Sequence, residues 1–375
     1  MKEIKTIVES LKKASVSGQK AALASVVNVY GSSYRRTGAR MLIKEDGYWF
    51  GSVSGGCLEG DVITKAKEIF NSGEAQLFKY DTRQNAKNAF GMGYGCNGLL
   101  EILIEPIEYN EKNPSFSMLK LLLDEKDIQG LSTVFYSEDN DIAILGSRQH
   151  SNGLGSIRNS ELSDRILEDL KTAIKTNNPK SITYKIGDKK VKVFHEVFQP
   201  NLNILIYGAV FHVAPFMKFA NELGYNVHVT DSFEPIQPIW NFPNAEDITI
   251  LEEKEVNRII ETTSNLAVVF LTHNFFYIKE ELPKVLKADA PYIGILGSRK
   301  KTQKILREAG VNEENYSDAE LAKIHSPIGL DIGANTPEEI ALSIVAEIRA
   351  FYSDKTGESL KQFDGSIHGK VSAGY

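Results

Sequence analysis

The sequence predicts an α/β protein with two main units, the C-terminal one a parallel, doubly wound sheet. Three observations carry this. After Asn203, short apolar runs alternate with stretches whose apolar residues recur every three or four positions. Before residue 107, apolar runs, a Gly-rich turn and an amphipathic stretch follow one another. The composition, 42% hydrophobic and 25% charged over 375 residues, is that of an ordinary globular chain. That length suggests about two or three domains.

The elements follow in order. Ile4, Ile7, Val8 and Leu11 share one helical face, and Gly18 marks its end. Residues 21–29 form a buried strand, and a turn holding Arg35 and Arg36 spans 31–38. Residues 40–45 and 47–53 make a hairpin about Asp46-Gly47. GSVSGGC at 51–57 leads into a helix with Leu58, Val62, Ile63, Ala66, Ile69 and Phe70 on its apolar stripe. Strands are expected at 75–80 and 99–104, with a second Gly-rich loop, GMGYGCNG, at 91–98. This closes an N-terminal unit at 107.

Residues 108–117 contain a proline among polar residues and predict a linker. A smaller α+β segment, with strands at 131–136, 141–145, 181–186 and 190–197, extends to 200. From 201 to 375 strands are expected at NILIYG, YNVHVTD, 266–271 and 291–296. Val213, Phe216, Ala220 and Leu223 mark one helix face there. Thr336-Pro337-Glu338-Glu339 is a capping box opening a helix that buries Ile340, Ala341, Ile344, Val345 and Ile348.

Lys and Arg number 43 against 49 Asp and Glu, a net charge of −6. No broad basic field is available for nucleic acid or acidic membranes. Two cysteines, Cys57 and Cys96, make no extracellular disulfide framework. The charged N-terminus is no signal peptide, and no run approaches the roughly 18 apolar residues needed to span a membrane. The expected location is the cytoplasm.

Chemistry is concentrated in two places. Glycines in GSVSGGC let backbone N–H groups converge on an anion, and Cys57 stands at the start of the following helix. That position favours a thiolate able to meet a soft metal; the alternative is a small buried residue. Glu59 and Asp61 suit the helix dipole but repel an anion. Cys96 repeats the setting of a thiol among glycines. Arg36 and its neighbour Arg35 either meet phosphate or are solvated loop charges.

The second place is the carboxyl edge of the C-terminal sheet, where open α/β sheets bind ligands. Gly208, Asp231, His273 and the run Gly297-Ser298-Arg299 fall there, and together would offer an acid, an imidazole and a guanidinium. Asp231 is either a ribose-binding acid or a strand-end cap; His212 is a packing or capping group. A dinucleotide fingerprint needs three spaced glycines, and this chain has Gly208, Val210 and Val213, which counts against NAD(P). No HExxH, CxxC, GxSxG or Walker loop occurs.

GSSYRRTGARMLI, GSVSGGCLEGDV and GYGCNG resemble the N-terminal domain of the XdhC/CoxI family. YGAVFHVAPF, LGYNVHVTD, YIGILGSRKK and IGLDIGANTPEEIALSIVAEIRA resemble its C-terminal Rossmann-like domain. The chain departs from the usual pattern at Val210 and Asn97, where many relatives have glycine. The resemblance implies a maturation factor that binds molybdenum cofactor and protects it. Such a factor assists the sulfurated form into a molybdenum hydroxylase such as xanthine dehydrogenase. It also implies a homodimer and a cysteine desulfurase as a second partner.

That cofactor carries a phosphate, a polar pterin edge and a dithiolene-bound metal. Cys57 would approach the metal or a transferred sulfur, and Ser54, Gly55 and Gly56 would hold an anionic part. Arg36, Glu59 and Cys96 would line the same site. Gly208, Asp231, His273, Gly297, Ser298 and Arg299 would hold the pterin or nucleotide part. No catalytic residue is assigned. The rival readings are a nicotinamide-dependent oxidoreductase and a cofactor-free protein adaptor.

Overall fold

The computed structural model describes residues 1–83, 98–124, 127–209, 212–232, 250–263 and 265–362. The chain divides into two compact units, Met1–Pro200 and a second beginning at Asn201.

In the first unit, helix α1 (Lys2–Val16) precedes strand β1 (Ala21–Gly31), followed by β2 (Arg40–Lys44) and β3 (Trp49–Gly51). Helix α2 (Glu59–Ser72) leads to β4 (Gln76–Asp81) and β5 (Gly98–Pro106). These strands form an antiparallel sheet in the order β3-β2-β1-β5-β4. Strand β1 is buried on both faces because its side chains alternate between two layers. Ala22, Ala24 and Val26 pack with Val62, Ala66 and Ile69 of α2, whereas Ala21 and Leu23 pack with Ile4, Ile7 and Leu11 of α1. An irregularity between Val26 and Asn28 shifts that alternation. It turns Val27 toward Leu103, Phe135 and Phe194.

The rest of this unit is a second antiparallel sheet. Helix α3 (Pro114–Asp124) precedes β6 (Gln129–Ser137) and β7 (Arg148–His150). Helix α4 (Ser160–Thr176), β8 (Lys180–Ile186) and β9 (Lys189–Phe198) complete it, in the order β7-β6-β9-β8. Two buried ion pairs join this sheet's strands to the first. Arg40 reaches Glu196 at 2.5 and 2.8 Å, and Arg148 binds Glu105 together with Ser115.

Two expectations fail in this stretch. The predicted linker 108–117 contains the start of α3, where Asn113 accepts from the Phe116 amide at 3.0 Å and Pro114 takes the first turn. The proline is therefore a helix starter. Residues 141–145 form turns, not a strand. The Asp139 carboxylate draws the Asp141 amide back at 2.9 Å, and the short edge strand comes later, at β7.

The second unit runs β10 (Asn203–Tyr207), α5 (Val213–Glu222), β11 (Asn226–Thr230) and α6 (Glu253–Thr262). It continues with β12 (Leu266–Phe270), α7 (Phe275–Leu286), β13 (Tyr292–Ile295) and α8 (Arg299–Glu308). It ends with α9 (Asp318–Leu321), β14 (Ile324–His325) and α10 (Pro337–Phe351). All its paired strands are parallel, in the order β11-β10-β12-β13-β14.

Alternating residues again serve two cores. Ile204, Ile206 and Val269 face α5 and α10, while Leu205, Val268 and Phe270 face α6, α7 and α8. The predicted capping box opens α10, with Thr336 and Glu339 exchanging bonds. Leu223 departs from its predicted face: it lies past the end of α5 and is exposed. Strand order reverses between β10 and β12, which places a crevice at their carboxyl ends.

Candidate functional site

The turn between β3 and α2 is the first candidate. Gly55 and Gly56 have φ of +85° and +120°, and a Cβ on Gly55 would lie 2.3 Å from the Tyr34 ring. Only a residue without a side chain fits between that ring and the turn. The amides of Val53, Ser54, Gly55, Gly56 and Leu58 do converge, as the glycines predict. They converge on the chain's own Glu59, whose carboxylate accepts all five at 2.8 to 3.2 Å. Ser52 and Ser54 hydroxyls add bonds of 2.7 and 2.6 Å.

Burial by itself would raise the Glu59 pKa. The bonds from Ser54, Ser52 and the backbone outweigh it and bring the group down to about 2. This corrects the expected roles of Ser54, Gly55, Gly56 and Glu59: the nest exists, and its anion is internal. Cys57 is half-buried at the edge of the core under α2. Glu59 thus takes the backbone amides of the turn on both sides of Cys57. Arg36 is exposed, and Arg35 pairs with Glu3 at 2.9 Å. Cys96 lies outside the described residues.

The second candidate is the carboxyl edge of the parallel sheet. Gly208 has φ of +117°, and a Cβ there would stand 2.8 Å from the Thr272 amide nitrogen. Its bare face thus lets the loops after β10 and β12 touch, and is not turned to a ligand. Asp231 accepts from the Ala209 amide at 2.8 Å and the Ser232 amide at 2.7 Å, a strand-end cap. Asn274 caps α7 and reaches the Ser232 hydroxyl at 3.3 Å. Val213, where a dinucleotide fingerprint has glycine, is buried in the core.

His273 is exposed beside His212. Desolvation, and secondarily the charge of His273, lowers the His212 pKa. Gly297 has φ of +136° and is covered by the stem of Lys301. Ser298 caps α8. Arg299 lies on the lip of a 680 Å³ groove with Thr302, Gln303, Asn312 and Ser326. Neither Asp231 nor His273 lines that groove, so the expected joint site of acid, imidazole and guanidinium does not form there. Among the described residues no group of three His, Cys, Asp or Glu side chains could hold a metal, and no helix is long and apolar enough to cross a membrane.

Comparison with known proteins places this geometry. Residues 15–81 match the profile of the XdhC and CoxI family, and residues 204–348 match the XdhC Rossmann domain. The chain belongs to the XdhC and CoxI family. It is 28% identical over 330 residues to a probable xanthine dehydrogenase subunit from Bacillus subtilis, spanning 88% of this chain and 92% of that one. It is 23% identical over 347 residues to the molybdenum cofactor insertion chaperone PaoD of Escherichia coli, spanning 92% and 87%. A crystal structure described as a xanthine dehydrogenase from Bacillus halodurans superposes with a TM-score of 0.70 at 28% identity, covering 94% of this chain and 98% of that one.

The Glu59 nest falls in the first matched region and the sheet crevice in the second. Within this XdhC-type unit, sequence reasoning passed over Lys301 and read His212 only as a packing or capping group. The Lys301 Nζ and the His212 Nδ1 are buried and have no hydrogen-bond partner. One signal for Lys301 was visible. Arg299-Lys300-Lys301 puts three cations in the first turn of a helix, against the dipole.

Proposed function

We propose that the chain is a cytoplasmic maturation factor that binds molybdenum cofactor and assists its insertion into a xanthine-dehydrogenase-type hydroxylase. The observation that carries this is near full-length similarity to a relative named a molybdenum cofactor insertion chaperone. The structure fits such a ligand. At the carboxyl edge of the parallel sheet, Lys301 Nζ and His212 Nδ1 are among the buried polar atoms left without a partner, where a polar, phosphate-bearing molecule would meet them. The half-buried Cys57, in the turn that Glu59 holds, would be a soft atom for a metal or a transferred sulfur. A cysteine desulfurase partner, a sulfurated form of the cofactor and a homodimer belong to the same reading.

The capping of Ala209 by Asp231 and the burial of Val213 count against the nicotinamide reading. The test is purification from a cofactor-producing host, with metal analysis and pterin fluorescence, beside activity of the hydroxylase with and without the factor. Co-purifying molybdenum and pterin, with a poorly active hydroxylase in the factor's absence, are expected. A cofactor-free protein and a fully active hydroxylase would overturn the proposal. Cys57→Ala is expected to lower target activation; unchanged activation and cofactor retention remove Cys57 from the mechanism.

A further inference from the structure

Lys301 lies in the first turn of α8, and its Nζ exposes under 1 Å² with no hydrogen-bond partner. The absent side chain of Gly297 gives its stem room, since a Cβ there would come 3.1 Å from Cδ and 3.9 Å from Nζ. Burial lowers the Lys301 pKa, with no acidic neighbour to offset it. A shielded ammonium without an acceptor is costly, and structures keep such groups where a ligand completes them. Its surroundings repeat the message. Arg299 and Lys300 precede it, and no acid stands in the first turn of α8.

A second, separate observation lies on the same sheet edge. The His212 Nδ1 is also buried and unpartnered, at the start of α5. Strand β12 alone separates β10 from β13. The two strand ends are therefore two spacings, about 10 Å, apart. A molecule crossing the end of β12 would meet an imidazole toward one side and an ammonium toward the other. Among the described residues of the first unit, the amide nest before α2 is already filled by Glu59.

We infer that Lys301 and the first turn of α8 form a phosphate subsite, which takes the phosphate-monoester end of the bound cofactor; the cofactor part rests on the function proposed above. The test begins with calorimetric titration of the full-length protein with inorganic phosphate, with chloride as control. Lys301→Met keeps the stem and removes the charge, and a matching melting curve confirms that it folds. It is expected to weaken phosphate binding by roughly tenfold or more. Lys301→Arg is expected to restore most of it. Lys304→Met, whose ammonium pairs with Glu308, is expected to bind as wild type does. Wild type that binds no phosphate, or Lys301→Met that binds it equally well, overturns the subsite.

The same variants prepared from a cofactor-producing host separate the sources. Loss of pterin retention in Lys301→Met supports the cofactor's phosphate as the occupant. Retention equal to wild type overturns that and leaves free phosphate as the ligand. Phosphate binding through Lys301 with no pterin in any variant upholds the subsite and overturns the function.

Discussion

Glu59 shows how one side chain can decide what a loop is for. Five amides and two hydroxyls end on its carboxylate. Removing the charge leaves buried donors with a weaker acceptor, so Glu59→Gln is expected to destabilise the protein by about 2–3 kcal/mol at neutral pH. Its pKa of about 2 in the folded protein lies below the unfolded value near 4.5. The folded state therefore binds fewer protons between those values. The stabilisation is full above about pH 4.5 and is lost as pH falls toward 2. Urea melts of wild type and variant at pH 7 and pH 3 check this: the gap should narrow in acid, and a gap that stays constant would contradict the assignment. His195 works through burial. It bonds Ser132 at 2.9 Å and Tyr184 at 2.8 Å, and desolvation lowers its pKa to about 4. Here the unfolded state binds the extra proton between pH 6.5 and 4, so stability falls as pH drops through that window. His195 alone should take about 2 kcal/mol between pH 7 and pH 5. His195→Gln should be less stable at pH 7 and lack that slope; an equal slope in both proteins would refute it.

At the scale of elements, Gly208 couples β10 to β12. A side chain there meets the Thr272 backbone at 2.8 Å in a backbone conformation with φ of +117°. Gly208→Ala must move one loop, at an expected cost of about 2–4 kcal/mol, read as a lowered melting point. A variant melting with wild type would show that the loops are not locked. This contact also marks where the sequence stopped being informative. The parallel sheet, the α10 capping box and the hairpin at Asp46-Gly47 were legible because periodicity and turn chemistry are local. The converging amides of residues 53–58 were legible from their glycines, and Glu59 stood in the string as a mild objection to a phosphate. That its side chain folds back into the nest depends on a rotamer and on two serines, which spacing does not encode. Asp231 as a cap was an open alternative, and its 2.8 Å bond to Ala209 supports it. Helix α3 was hidden because Asn113-Pro114 has the same letters whether it breaks a chain or starts a helix. Lys301 was legible only as charge; its burial needed Gly297 beneath it.

At the scale of the whole molecule, the question is which cuts leave complete cores. The sequence places a boundary at 107, yet Arg40 and Glu105 before it find their partners, Glu196 and Arg148, after it. Val27 and Leu103 likewise pack with Phe135 and Phe194. A fragment ending at residue 107 would keep two buried charges without their counterions, a loss of about 3–5 kcal/mol for each broken pair, and an uncovered apolar face. That approaches the entire stability of a typical domain. A cut between Pro200 and Asn201 instead follows the boundary between the two compact units, and among the described residues each apolar cluster lies wholly on one side of it. Fragments 1–200 and 201–375 are therefore expected to be soluble, each with a cooperative melt by circular dichroism, whereas 1–107 should aggregate or stay unfolded. A well-folded 1–107 fragment would show that the two ion pairs are dispensable and that residues 108–200 form a domain of their own.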